Sequence, residues 1–563
     1  MQASYKAIFL FTIFTVASTS WITFPTDQNN HDFCGNKHKN LVYLTKILNG
    51  LPNVVVPEFT GIPGRRIESF LRRHVPEIFI DYANAIELMQ PSWKYFLFRL
   101  LTPNNKSKKS KDLELKKRET KALQLLAEIQ EKVKNCFTTF SFEFTPEELQ
   151  LFNSIATKEQ FLMVRSTGVE DGAIANAGGN SSIAYVMPNE LGVSQAIGEV
   201  VASYFGAQSL KNRIGGGEKL STSNLCLPVL IQVLIGETID GANDEKYIPV
   251  SGVAYSTNQS LSSSGFPMTE INAAYGHGEG VVANRVIADR YFIVPSRAEQ
   301  GISIYPMLYE KNDRLVPHYE ESSKNHTLVS CKNNSLLSYK SALSINQVKE
   351  LYAVLKKIET DYNQPMDVEF VVLDNIIYIV QARPAMHVAM NPSYISFSTL
   401  DNADTSKPIY GDIIVPGKAE VLSIINPNDV IIANTLDEAD QMPNSAKCKA
   451  VIVSAWASSL SHPAVNFKTY GTPCIMVQNL AMVKELIAQI SPQNPLIFDA
   501  QQRCILLWKN KQKTIENHIL SGWLEHPISR TLSVYSEAIT KTVVHANPLP
   551  QDGKLITLLE NLK

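Results

Sequence analysis

The chain has 563 residues, of which 44% are hydrophobic and 19% charged, and its formal net charge is −2 at pH 7. This length predicts about three or four domains, and a net charge near zero excludes the strong overall positive field typical of nucleic-acid-binding proteins. The seven cysteines form no CxxC pair, so the sequence indicates neither a zinc site nor a disulfide scaffold.

Residues 1–20 have the layout of a secretory signal peptide. Lys6 precedes an apolar run at 7–17, and small residues follow at 18–20. The run is too short to cross a membrane comfortably, since a spanning helix takes about 20 residues. The sequence therefore predicts export or membrane targeting through this segment. A buried or interfacial segment in a cytoplasmic protein is the alternative.

Residues 33–160 combine a polar loop with helical, charge-rich sequence. In GNKHKNL, Gly35 lets the backbone approach an anion and Lys37 supplies a mobile positive charge; a polar turn that opens a helix is the alternative. The basic run 106–118 opens a predicted helix with a solvated face. Thr145 and a following glutamate predict a capped helix start.

Residues 161–389 alternate short β-branched runs with glycine turns, which predicts a mixed α/β domain. Arg165 ends a predicted strand. The loop 177–182 offers backbone N–H groups and hydroxyls that can cradle phosphates, with a structural glycine turn as the alternative. In GHGEGVV, Glu279 falls at a tight turn after a strand.

The segment 366–384, MDVEFVVLDNIIYIVQARP, predicts a β-hairpin that turns at its Asp-Asn pair. Asp367 and Glu369 share one face of the first strand, because side chains alternate along a strand. Gln381 and Arg383 share one face of the second strand for the same reason. Whether the two faces coincide depends on the connection between the strands.

A plain two-residue loop would pair Glu369 with Val380 and put the two polar sets on opposite faces. A three-residue loop or a bulge would instead set Asp367 opposite Gln381 and gather one polar cluster. Such a cluster could hold Mg²⁺ through Glu369 and Gln381 oxygens and a nucleotide phosphate through Arg383. We therefore predict a turn that is not of two residues.

Residues 390–408 are rich in Ser, Asn, Asp and Pro and predict a linker. Residues 409–510 alternate strands with helical pieces, a compact α/β pattern. Within them, His462 follows Ser461 at a predicted strand-to-helix step. Imidazole can carry a phosphoryl group there, because it is nucleophilic near neutral pH; an ordinary surface or cap residue is the alternative. The tail 511–563 has a helical pattern.

In this order, the motifs resemble those of the pyruvate phosphate dikinase and phosphoenolpyruvate synthase superfamily. The family's GGKxxNL and VRSSAxxED are similar to GNKHKNL and VRSTGVED here, and its GLGExVV is similar to GHGEGVV. Its DIEWxxxxxLYIxQARP is similar to DVEFVVLDNIIYIVQARP, the most specific match. Its phosphohistidine signature, GGxTSHAAIxARxxGIPAV, is similar to ASSLSHPAVNFKTYGTPCI.

The resemblance implies an α/β fold in which a two-lobed, ATP-grasp-like nucleotide-binding domain precedes a swivelling α/β domain that carries a phosphorylated histidine. The implied divisions are an N-terminal lobe with a basic helical insertion (33–160), the ATP-binding domain (161–389), the linker (390–408), the phosphohistidine domain (409–510) and a helical tail (511–563).

The resemblance also implies the roles of individual residues. Lys37 and Arg165 would grip the ATP phosphates, and the backbone near Gln232 would lie along the adenine. His462 would attack the β-phosphate of ATP, leaving AMP and, after hydrolysis of the terminal group, phosphate. The implied metal ligands for Mg²⁺ are Glu369 and Gln381. The implied ATP-binding residues are Lys37, Arg165, Gln232, Glu279, Asp367 and Arg383.

Two departures bear on the phosphoryl acceptor. Leu460 and Pro463 replace a threonine and an alanine of the family signature, which predicts a stiffer histidine loop. Pyruvate-using members carry a C-terminal barrel of roughly 250 residues or more, and about 60 follow the histidine domain here, so we expect a small molecule, a separate protein or water as acceptor. The alternative functions are an ATP-binding regulatory module that has lost phosphotransfer and a kinase that acts without His462.

Overall fold

A computed structural model of the chain describes residues 34–89, 105–158, 160–167, 180–215, 225, 227–238, 241–242, 244–258, 268–295, 301–320, 325–385, 404–405, 407–415, 417, 421–492, 494–500 and 503–509. The predictions for residues 1–20, for loop residues 177–179, for most of the linker and for the tail 511–563 lie outside these ranges.

The chain folds into a mixture of helices and sheets, which confirms the predicted α/β class. The α-helices in the described ranges are α1 (Asn36–Leu48), α2 (Gly64–His74), α3 (Glu77–Met89), α4 (Asn105–Thr139), α5 (Pro146–Ala156), α6 (Glu190–Tyr204), α7 (Ala207–Gly215), α8 (Glu279–Val282), α9 (Ser335–Tyr339), α10 (Ile345–Tyr362), α11 (Leu436–Gln441), α12 (His462–Tyr470) and α13 (Leu480–Ile487).

The strands in the same ranges are β1 (Val54–Val55), β2 (Phe59–Ile62), β3 (Leu162–Ser166), β4 (Ser182–Val186), β5 (Val229–Val233), β6 (Val250–Tyr255), β7 (Thr269–Tyr275), β8 (Asp289–Pro295), β9 (Ile302–Met307), β10 (Asp313–Glu320), β11 (Asn325–Lys332), β12 (Met366–Leu373), β13 (Ile376–Pro384), β14 (Asp404–Thr405), β15 (Ile409–Tyr410), β16 (Asp412–Val415), β17 (Val421–Ile424), β18 (Val430–Ala433), β19 (Ala450–Val453), β20 (Cys474–Met476), β21 (Leu496–Asp499) and β22 (Cys504–Lys509).

Two sheets, together with a two-stranded sheet of β10 and β11, form the front two-thirds of the described chain. The large sheet has the order β1-β13-β12-β6-β7-β8-β9, and the small sheet has the order β2-β5-β3-β4. Every pairing in them is antiparallel except β1 with β13, which is parallel. Since β1 joins the large sheet and β2 the small one, the short segment between them crosses from one sheet to the other.

Helices cover each sheet and build its core. Helices α2, α3, α4 and α6 share one apolar core with the small sheet, whereas α1 and α10 pack on the large sheet. In α10, Val348, Leu351, Leu355 and Ile358 are buried at the spacing of one helix face. Burying each such side chain contributes roughly 1.5–3 kcal/mol. The capped start predicted for α5 is confirmed, because Thr145 forms a capping box.

The C-terminal part of the described chain has its own cores. Strands β18, β19 and β20 are parallel neighbours, β16 adds an antiparallel edge, and α11 and α12 cover this sheet. A second, antiparallel sheet formed by β14, β15, β17, β21 and β22 packs nearby through a shared apolar cluster with α13. Within the predicted linker, Asp404–Thr405 forms β14 and pairs with β22. In the ranges the structure describes, no helix is both long and apolar enough to span a membrane.

Candidate active site

The β12–β13 hairpin places the predicted polar residues on one face, although its turn differs from the prediction. Asp374 and Asn375 form a two-residue turn with φ values of 50° and 59°. Our prediction of a longer turn is therefore wrong. The reason is local. Both central residues of a type I′ hairpin turn must adopt the left-handed conformation, and Asp and Asn do so more readily than most residues.

A β-bulge in β13 shifts the pairing of the two strands by one residue, which the two-residue turn does not do. Phe370 pairs with Ile379, whereas Glu369 pairs with Gln381, which leaves Val380 between them without a partner residue in β12. Side chains beyond the bulge therefore change face relative to a regular hairpin. The alternative of a bulge is confirmed, although the pair formed is Glu369 with Gln381 rather than Asp367 with Gln381.

Gln232 of β5 contacts this bulge from the small sheet. Its Nε2 donates a hydrogen bond of 3.2 Å to the carbonyl oxygen of Val380, and its side chain is almost fully buried. The amide thus holds the unpaired residue of the large sheet. The predicted role of the Gln232 backbone along adenine stays a prediction, because the side-chain contact concerns the protein alone.

Beyond the bulge, Asp367 lies opposite Arg383 and forms a buried ion pair with it. Arg383 Nε donates to Asp367 Oδ2 at 2.9 Å. Two other buried oxygens, Asp367 Oδ1 and Gln381 Oε1, have no hydrogen-bond partner among the described residues. Because buried polar atoms are normally paired, these oxygens are acceptors that a cation or a ligand donor would satisfy.

The residues around these oxygens fit a magnesium ion. In the described ranges, no group of three or more His, Cys, Asp or Glu side chains is arranged to hold a metal by itself. Mg²⁺ is, however, commonly bound by one or two protein oxygens together with substrate phosphates. Glu369 and Gln381 are paired neighbours in the hairpin and supply one carboxylate and one amide oxygen.

Arg165 joins the two sheets at this point. It is the last residue but one of β3 in the small sheet, and its guanidinium lies 2.9 Å from Glu369 Oε2 on the large sheet. Both side chains are largely buried, with exposed fractions of 10% and 14%. Burial, the largest influence, would raise the pKa of Glu369, but the charge and hydrogen bond of Arg165 together with the charges of His462 and Arg383 outweigh burial and hold that pKa at about 2. Glu369 is therefore ionised at any physiological pH.

Lys37 lies in the first turn of α1 and is anchored to the end of β3. Its Nζ donates to the Ser166 carbonyl oxygen at 2.8 Å, and its backbone N–H donates to Thr167 Oγ1 at 3.0 Å. The approach is close because Gly35, with φ of 88°, precedes the helix. A Cβ at Gly35 would lie 1.8 Å from the Thr167 carbonyl oxygen, so only glycine fits.

Glu279 and His277 form the next part of the site, at the start of α8. Burial raises the pKa of Glu279, and the charge of Glu369 raises it further, so the two carboxylates face the same charged region. His277 accepts a hydrogen bond from the Glu279 N–H at 3.1 Å through Nδ1. The sequence analysis missed His277; its signal was a histidine inside the GHGEGVV motif.

His462 is the first residue of α12 and is partly buried. Its pKa is lowered to about 4, first by burial and then by the Arg383 charge; the charges of Lys37 and Arg165 also lower it, and the Glu369 charge raises it. The structure thus brings the ring to the charged residues of both sheets. Its neighbour Leu460 is buried and packs with Tyr255, Val281 and other residues of the front part of the chain, so it anchors the histidine loop.

The lowered pKa gives a testable prediction for the nucleotide-free protein. Deuterium exchange at the imidazole C2 position, followed by mass spectrometry, should report a pKa for His462 near 4, whereas a synthetic peptide of residues 457–468 should show the ordinary value of about 6.5. The pKa is lowered because burial disfavours the charged form of the imidazole. A value near that of the peptide would contradict the position of the ring.

Comparison with known proteins gives consistent matches. The family model for the pyruvate phosphate dikinase AMP/ATP-binding domain matches residues 34–396. The chain is 25% identical over 372 residues to the phosphoenolpyruvate synthase of Pyrococcus furiosus, covering 63% of this chain and 41% of that protein. It is 27% identical over 253 residues to an uncharacterized phosphotransferase of Bacillus subtilis, covering 44% of this chain and 27% of that protein. The chain thus spans about two fifths of the synthase it matches.

Proposed function

Because the chain belongs to the pyruvate phosphate dikinase AMP/ATP-binding domain family, we propose that it is an ATP-dependent phosphotransferase in which His462 carries the phosphoryl group. The observation that supports this most directly is the position of His462 at the charged residues of the two sheets, where Arg383, Glu369, Lys37 and Arg165 all act on its ring. A histidine without a role in the chemistry would have no reason to face this set.

In this mechanism the cations hold and neutralise the phosphates. Lys37 Nζ contacts the carbonyl oxygen of Ser166, the residue after Arg165 in β3; Arg165 contacts Glu369 of the hairpin, and Arg383 lies in the same hairpin. With a pKa of about 4, His462 is neutral at physiological pH and has a free ring nitrogen lone pair. Charge neutralisation and positioning supply most of the rate in phosphoryl transfer.

His462 is the nucleophile of the first step. A ring nitrogen of His462 bonds to the β-phosphorus of ATP, the bond from that phosphorus to the oxygen of the α-phosphate breaks, and AMP leaves with the electron pair. Water then removes the terminal phosphate, which leaves one phosphoryl group on the histidine. A magnesium ion at Glu369 and Gln381 would neutralise phosphate charge in this step. An oxygen nucleophile on a small molecule or separate protein accepts the phosphoryl group.

Labelling with ATP carrying radioactive phosphorus at the β-position tests the proposal. The wild-type chain should take up label that is lost in acid and kept in base, since the N–P bond is acid-labile, and His462→Ala should take up none. His318→Ala is the matched control, because His318 is an exposed histidine on β10 and should label normally. A product that the His462→Ala variant labels as fast as wild type would refute the proposal.

A further inference from the structure

The loop at 456–461, which leads into His462, rests on the edge of α8. The Asn284 side chain, just after α8, makes two hydrogen bonds with the loop backbone. Its Nδ2 donates to the Trp456 carbonyl at 3.0 Å, and its Oδ1 accepts from the Ser458 N–H at 2.7 Å. Asn284 adopts a φ of 59°, which asparagine tolerates better than most residues. One amide side chain therefore fixes the start of the loop.

Two hydroxyls of the loop reach the large sheet. Ser458 Oγ accepts from Asn272 Nδ2 of β7 at 2.9 Å. Ser459 Oγ donates to Glu270 Oε1 at 2.7 Å and lies 3.2 Å from the Arg290 guanidinium of β8. We call Glu270, Asn272, Asn284 and Arg290 the docking socket.

The socket carries buried charge. Glu270 has no exposed surface, and its Oε1 is also 3.0 Å from an Arg290 nitrogen. Burial alone would raise the pKa of Glu270, but the Arg290 charge and then the Ser459 hydrogen bond lower it, so the carboxylate stays ionised. A hydrogen bond to such a group is stronger than one between neutral partners.

The loop is also hydrogen-bonded to the helix that starts at His462. Lys468, in the second turn of α12, donates from Nζ to the Ser459 carbonyl at 2.7 Å and lies over the Tyr255 ring of the large sheet at 4.7 Å. Ser459 is therefore tied to the socket through its hydroxyl and to α12 through its carbonyl. Any shift of Ser459 on the socket shifts the helix start as well.

From these contacts we infer that the docking socket and Ser459 position His462 for phosphorylation, although the socket residues need not touch ATP. Ser459 is the positioning residue that contacts both the docking socket and α12, and Glu270 is its charged partner in the socket. The inference rests on the proposed function of His462. It adds that the rate of phosphorylation depends on a polar contact between the two parts of the chain, separate from the groups that grip the phosphates.

Ser459→Ala tests this inference against Ser423→Ala, a half-buried serine on β17 of the same C-terminal part. Ser459→Ala should slow labelling of His462 by about tenfold or more, the effect of losing a hydrogen bond to a buried charge, with ATP affinity unchanged in calorimetry. Ser459→Thr keeps the hydroxyl and should restore most of the rate. Ser423→Ala should behave as wild type.

Amide hydrogen exchange of residues 456–461 provides a second measurement, made in a His462→Ala background so that it does not depend on phosphorylation. Adding Ser459→Ala should speed exchange there, whereas adding Ser423→Ala should not. Unchanged exchange, or a labelling loss that parallels a loss of ATP affinity, would overturn the inference. If wild type takes up no label, the proposed function fails, and exchange alone decides whether the socket holds the loop.

Discussion

Replacing Glu369 with glutamine is expected to slow labelling of His462 by at least ~100-fold, because the change leaves the Arg165 guanidinium largely buried and unpaired. Breaking a buried ion pair costs about 3–5 kcal/mol, and the remaining exposure of both side chains favours the lower end. Glu369 is the point where the two sheets meet, so the loss affects the alignment of Arg165 with the hairpin. It also removes the proposed carboxylate ligand of Mg²⁺.

The matched control for this variant is Asp374→Asn in the same hairpin. It removes the same charge, but Asp374 is exposed and its left-handed conformation suits asparagine. We expect wild-type labelling and thermal stability for this control. A Glu369→Gln protein that melts like wild type and labels at more than a tenth of its rate would show that the ion pair between the sheets is dispensable.

Gly35→Ala is expected to destabilise the protein by about 2–4 kcal/mol and to weaken ATP binding at least tenfold. An alanine at this φ costs roughly 1–2 kcal/mol, and forcing its Cβ against the Thr167 backbone adds roughly 1–3 kcal/mol of overpacking. The contact at 1.8 Å cannot be relieved by a side-chain rotation, because the carbonyl oxygen of Thr167 is backbone. Either α1 or the end of β3 must move, and Lys37 moves with it.

Gly50→Ala separates the conformational cost of a positive φ from the cost of overpacking. Gly50 also has a positive φ, 85°, and lies just after α1, but nothing lies within 4 Å of its hypothetical Cβ. The substitution should therefore cost only the conformational part, about 1–2 kcal/mol, and leave ATP affinity unchanged. Chemical denaturation and calorimetry of the two variants measure the difference. Equal effects would mean that the approach of Gly35 to Thr167 contributes nothing.

Local features of this chain were predictable from sequence. The hairpin turn pair, the capping box at Thr145 and the helix start at His462 depend on residues a few positions apart, where turn chemistry and capping act. The order of the motifs along the chain also indicated the family. The strand period also placed Asp367 and Glu369 on one face correctly, because alternation along a strand does not depend on distant partners.

Contacts between distant segments were not predictable in this way. The bulge at Val380 is held by Gln232, and the Lys37 ammonium is held by the Ser166 carbonyl; both partners lie far away in the chain. The packing of Leu460 was not predicted either: the sequence indicated only a stiffer histidine loop, whereas the Leu460 side chain packs in an apolar cluster with Tyr255. Packing against the folded surface selects such partners, and no local pattern encodes them.

The bulge has a consequence for how such proteins lose activity in evolution. Glu369 and Gln381 can face each other only because Val380 is unpaired, so a change that let Val380 pair with Glu369 would turn Gln381 and Arg383 to the opposite face of the sheet. Every motif residue would still be present in the translated protein. A relative that retains the full set of hairpin motif letters can therefore lack the polar cluster, and the residue at the position of Gln232, which holds the Val380 carbonyl, is the place to look for the difference.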